Sequence, residues 1–126
     1  MIRIVIADDS STARLFIRRC LNLAGFDQTS ITFATNGQEA LEQVKNEGTD
    51  LLITDLNMPV MDGQELLKNV KSDPKISDLP VLVITSAANP AKESELLQMG
   101  ASSVLCKPIT PEALGPKIGF LFHKEG

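Results

Sequence analysis

Five short apolar runs, each followed by a stretch with helical spacing, limit what this chain can become. Ile2-Arg3-Ile4-Val5-Ile6-Ala7 and Ser30-Ile31-Thr32-Phe33-Ala34 are strand-length and rich in β-branched residues. Leu51 to Thr54 and Val81 to Ile84 are compact and apolar, the pattern of strands covered on both faces. Ser103-Val104-Leu105-Cys106 is the fifth. Between the runs, apolar residues recur every three or four positions: Ala13, Phe16, Ile17, Cys20, Leu21 and Ala24; then Ala40, Leu41 and Val44; then Leu66, Leu67 and Val70. Leu114, Ile118, Leu121 and Phe122 make a fourth such face, while the segment from Pro90 to Met99 has few apolar anchors. Alternating strand and helix patterns predict an α/β protein with a parallel sheet and right-handed crossovers. At this length, the layout is a doubly wound (βα)5 sheet with strand order 2-1-3-4-5.

Punctuation supports the boundaries. Ser10 or Ser11 can cap the first helix and Gly25 can end it. Asn36-Gly37 opens the second helix, Asp62-Gly63 the third, Asn89-Pro90 the fourth and Thr110-Pro111 the fifth. Gly115, Pro116 and Gly119 oppose the last helix, the proline by about 3 kcal/mol against alanine, so a kink near Pro116 is expected.

With 126 residues and 43% hydrophobic content, one folded domain over residues 1–126 is expected. The net charge of −4 argues against long-range attraction to nucleic acid. No apolar run approaches the ~20 residues of a membrane span, and no signal-peptide pattern opens the chain. Cys20 and Cys106 fall at expected core positions, which suits a reducing cytoplasm.

In an open α/β sheet, ligands bind beyond the carboxyl ends of the strands where the order reverses, here between strands 1 and 3. Asp8 and Asp9 follow strand 1 and Asp55 ends strand 3, with neighbouring strands about 4.8 Å apart. Three carboxylates so close repel one another unless a cation intervenes. Mg²⁺ suits them, because it takes one or two carboxylates and keeps several waters. Thr85 ends strand 4 and Lys107 ends strand 5 at the same edge. A hydroxyl and an ammonium beside a carboxylate–metal cluster make a site for a phosphoryl group. Asp55 has the placement of a nucleophile that forms an aspartyl-phosphate.

Asp8-Asp9, Asp55, Met58-Pro59-Val60-Met61-Asp62-Gly63, Thr85-Ser86-Ala87, Lys107-Pro108 and the segment Ala34 to Ala40 together resemble the receiver domain of two-component response regulators. The resemblance covers essentially the whole chain and implies a flavodoxin-like three-layer sandwich. It further implies that Asp55 accepts phosphate from a sensor histidine kinase or histidine phosphotransfer protein. Asp9, Asp55 and the backbone carbonyl of Asn57 would hold Mg²⁺, with Asp8 acting through a metal-bound water. Thr85 and Lys107 would bind phosphoryl oxygens, and the Lys107–Pro108 bond would be cis. Signalling would run through Thr85 and a change in the face of the fourth helix, fifth strand and fifth helix, presented to an unidentified downstream protein.

Two features depart from that family. The switch position three residues before the lysine, often aromatic, is Val104, and the chain has no tyrosine or tryptophan. Gly115-Pro116 interrupts the last helix. The implied protein is a cytoplasmic, non-enzymatic regulator of chemotaxis or phosphorelay type, monomeric before phosphorylation. Its start at Met1 suggests a stand-alone regulator or an N-terminal domain. Arg14, Arg18, Arg19 and Leu15 are expected to help dock the phosphodonor. The alternatives are a receiver-like binding module that works without phosphorylation and a Mg²⁺-dependent phosphatase. The latter is disfavoured because Asn57 stands where its general acid would be.

Overall fold

A computed structural model describes residues 1–46, 48–86 and 89–121. Five strands, β1 (Ile2–Ala7), β2 (Thr29–Ala34), β3 (Leu51–Asp55), β4 (Val81–Thr85) and β5 (Ser103–Cys106), alternate with five helices. The helices are α1 (Ser11–Leu23), α2 (Gly37–Asn46), α3 (Gly63–Ser72), α4 (Pro90–Gln98) and α5 (Pro111–Ile118). The strands form one parallel sheet in the order β2-β1-β3-β4-β5, as the alternation predicts.

Strand side chains alternate between faces, so the sheet divides the core in two. Ile4, Ile6, Ile53, Leu82 and Ile84 pack with Ile17 and Leu21 of α1 and Leu114 and Ile118 of α5. Val5, Leu52, Val81 and Val83 pack with Leu41 and Val44 of α2, Leu66, Leu67 and Val70 of α3, and Leu96 of α4. The result is a three-layer sandwich. β3 and β4 are buried at every position, as their continuous apolar runs require.

The caps form as the sequence indicates. Ser10 Oγ accepts from Ala13 N at 3.2 Å, Asp62 Oδ1 from Glu65 N at 2.8 Å and Asn89 Oδ1 from Lys92 N at 2.9 Å. At α2, Asn36 Oδ1 accepts from Glu39 N, and Glu39 Oε1 reaches back to accept from Thr35 N, one residue ahead of the cap. Lys71 ties down the loop between α3 and β4, donating to the carbonyls of Ser77 and Leu79 at 3.0 and 2.6 Å.

Four sequence expectations need correction. Cys106 is exposed at the end of β5, the edge strand of the sheet; Cys20 is buried. Phe16 is 46% exposed, standing at the rim of the α1 face where Ile17 and Leu21 fill the core. Arg14 is half-buried and turned toward the sheet, not presented with Arg18 and Arg19. α5 spans Pro111–Ile118, so Pro116 lies in its final turn; two turn residues follow, and Leu121, again helical, reaches the core. Ala87 and Phe122 lie outside the described residues.

Gly63 and Gly48 separate two uses of glycine. At Gly63 an added Cβ would collide with the backbone of Asp55 and Leu56, because α3 starts directly against the end of β3. At Gly48 a Cβ meets nothing, but φ is +57°. Gly63→Ala is therefore expected to cost about 3 kcal/mol in urea unfolding, and Gly48→Ala about 1 kcal/mol.

Candidate functional site

The site follows from register. Ala7 pairs with Thr54, so Asp8 and Asp9, just beyond β1, come beside Asp55 at the end of β3. Thr85 ends β4 opposite Cys106, which brings Lys107 to the same edge, and Lys107 N donates to Thr85 O at 2.9 Å. Asp8, Asp9 and Asp55 each offer an oxygen within 4.8 Å of the others. The sequence-predicted residues of four strand ends are thus brought together at one place. Asn57 lies exposed in the loop two residues past β3, and Val104 lies in β5 against the core on the α2–α3 side.

Lys107 Nζ reaches Asp8 Oδ2 at 3.1 Å and Asp55 Oδ1 at 3.4 Å. Asp8 Oδ1 accepts from Ser10 N at 3.0 Å, and Asp8 N donates to Ala34 O at 3.0 Å. Asp55 Oδ1 also accepts from Leu56 N at 2.9 Å. Asp8, Asp55 and Thr85 are buried, whereas Asp9 is exposed. The Lys107–Pro108 bond is cis.

Burial raises the pKa of Asp55, and the charge of Asp8 adds to the rise; Lys107 and the Leu56 N–H oppose it without cancelling it. Burial alone would lower the pKa of Lys107, but the hydrogen bond to Asp8 and the charges of Asp55 and Asp8 raise it overall. The ammonium therefore does not fully offset burial and the neighbouring Asp8 charge at Asp55. All the donors are oxygens, which suits a hard divalent ion such as Mg²⁺. A buried hydroxyl, an ammonium and clustered carboxylates at one sheet edge can bind a phosphoryl group beside a carboxylate nucleophile.

The response regulator receiver domain family matches residues 4–118. The chain belongs to that family. A chemotaxis protein CheY homolog of Campylobacter jejuni is 37% identical over 117 residues, covering 92% of this chain and 88% of that protein. The chemotaxis protein CheY4 of Vibrio cholerae superposes with a TM-score of 0.82 at 33% identity, covering 94% of this chain and 97% of that one. The signal receiver domain of a DNA-binding response regulator from Colwellia psychrerythraea gives 0.85 at 26% identity, covering 98% and 99%. The strand order seen here is the known flavodoxin and CheY arrangement. Receiver domains of this kind are signalling proteins of two-component systems. Among the described residues, no helix is long and apolar enough to cross a membrane.

Two features of this receiver escaped the sequence reading. Val60 has φ of 68°, in a three-residue turn where Met61 N donates to Pro59 O at 2.7 Å. A β-branched residue is strained there, and nothing in the residue type signals it. Arg14 donates to the backbone carbonyl of Asp8 at 2.8 Å, which its place on a helical wheel does not reveal.

An acid with a raised folded-state pKa destabilises the fold once it ionises. The cost is present above the raised pKa and disappears as pH falls toward the ordinary value of about 3.9. In EDTA at pH 7, Asp55→Asn is therefore expected to raise Tm by a few degrees. Calorimetry should show the gain shrinking as pH is lowered. A gain independent of pH would contradict this origin.

Proposed function

We propose that this chain, acting as a receiver over residues 1–126 in the cytoplasm, is a phosphoacceptor. Its donor is a sensor histidine kinase or a histidine phosphotransfer protein. The observation that carries the reading is the meeting of Asp8, Asp9 and Asp55 within 4.8 Å, with Lys107 joined to both Asp8 and Asp55. The N–P bond of the donor phosphohistidine breaks as an O–P bond forms to the Asp55 carboxylate, and the released imidazole leaves with a proton from solvent. Asp9, Asp55 and the Asn57 carbonyl would hold Mg²⁺, with Asp8 assisting from beside them. When bound, the ion neutralises charge on the transferring phosphoryl oxygens. Lys107 supplies an ammonium to one phosphoryl oxygen and Thr85 a hydroxyl to another.

The phosphodonor docks along α1 beside the site. There Leu15 and Phe16 are exposed, and a groove of about 600 Å³ runs from Ala13 and Phe16 to Lys107 and Ile109. Arg18 and Arg19 on the same helix are exposed. The output passes through Thr85 and Val104 to the α4–β5–α5 face, which meets a downstream protein. α4 suits a change of position, since Leu96 is its only buried residue among those described. Val104 replaces an aromatic rotor with a small side chain, so the switch rests on Thr85 and the helix face.

Acetyl phosphate with Mg²⁺ should add about 80 Da, one phosphoryl group, to the intact protein. Asp55→Ala should abolish the adduct, and Lys107→Ala should slow its formation about a hundredfold. An adduct that survives Asp55→Ala would assign the acceptor elsewhere. No adduct with any donor would favour a phosphorylation-independent binding module. Arg18→Glu with Arg19→Glu should slow transfer from a phosphohistidine protein while leaving labelling by acetyl phosphate intact; equal transfer rates would remove α1 from the docking surface.

A further inference from the structure

Arg14 sits where a helix least favours a cation. It lies in the first turns of α1, at the positive end of the helix dipole, and the first turn has no acidic residue to offset it. Its side chain is half-buried, whereas Arg18 and Arg19 on the same helix are exposed. One guanidinium nitrogen donates to Asp8 O at 2.8 Å, and the guanidinium carbon lies 5.7 Å from the centre of the Phe33 ring, at the end of β2. Arg14 Nε is buried with no hydrogen-bond partner, a cost that a solvated docking arginine would not carry. Dipole, burial and the stranded N–H all oppose this placement. In its favour stand the Phe33 ring beneath it, the bond to the Asp8 carbonyl and the acidic residues on either side of that peptide.

That carbonyl belongs to the peptide joining Asp8 to Asp9. The amide of Asp8 is held by Ala34 O, and its carboxylate by Ser10 N and Lys107. Asp9 is exposed and follows directly, so the orientation of this peptide plane governs where its carboxylate points. We propose that Arg14, clamped on Phe33, is a positioning residue that locks the Asp8–Asp9 peptide and so aims Asp9 at the divalent ion. The inference rests on the metal site of the function proposed above.

Positioning and bare electrostatics predict opposite signs. Removing a positive charge near a cation site tightens binding through Coulomb's law. Removing a positioning group loosens it, by about tenfold for partners that orient a ligand. Calorimetric titration of the unphosphorylated protein with Mg²⁺ and Mn²⁺ decides between them. Arg14→Gln and Arg14→Ala are expected to bind about tenfold more weakly. Arg14→Lys should fall between them and the native protein, because an ammonium can reach the carbonyl but lacks the planar face that stacks. Phe33→Leu should weaken binding about twofold. The rise in Tm on adding Mg²⁺ should shrink in the same order, measured against each variant's own Tm in EDTA. Equal or tighter binding in the Arg14 variants overturns the inference; if Arg14→Ala does not fold, Arg14→Gln and Arg14→Lys carry the test. A native protein that binds neither ion removes the metal site itself, which is a different failure.

Discussion

Like charges held together without enough counter-charge are the constraint on which this molecule turns. Parallel pairing with Ala7 opposite Thr54 leaves Asp8 and Asp9 no place except beside Asp55. One ammonium, that of Lys107, bridges Asp8 and Asp55, and the pKa of Asp55 still stands above its ordinary value. The site is thus assembled with an excess of partly desolvated negative charge, which a divalent ion can offset. A fold that spread these groups over its surface would be more comfortable and could do none of this chemistry.

The surroundings keep this excess from relaxing. α3 begins so close to β3 that Gly63 tolerates no side chain, and Leu56 N holds Asp55 Oδ1. Asp8 is bonded through its amide, its carbonyl and its carboxylate to three different elements, which leaves its turn little freedom. Across the sheet edge, Thr85 is fully buried and shares its carbonyl with the amide of Lys107. Rigid support on strand ends and helix starts gives the precision that the proposed phosphoryl chemistry requires.

The opposite end of the scale is α4. Leu96 is its only buried side chain among those described, and its polar side meets α3 through Gln64, Lys92 and Glu95, with bonds of 2.7 Å on each side of Gln64. Exposed contacts of this kind contribute little each, so such a helix can shift at small cost. A tightly bonded site therefore stands next to a lightly held helix, as the proposed output through the α4–β5–α5 face requires. Near-complete switching would require about 5.5 kcal/mol of differential stabilisation.

How much of this was legible beforehand varies by element, for physical reasons. Hydrophobic period, caps and strand-end residues determined the five-fold alternation, the order β2-β1-β3-β4-β5 and the acidic meeting point, because these depend on local propensity and on the handedness of crossovers. The continuous runs at β3 and β4 declared burial on both faces without any structure. Cys106, Phe16 and Arg14 were misplaced, since a helical or alternating pattern says which side a residue faces but not whether a neighbour covers it there. Val60's strained turn and the Arg14 bond to Asp8 O depend on backbone angles and on atoms from separate elements. Only packing in three dimensions decides those, because a carbonyl has no identity in the sequence until the chain brings a donor to it.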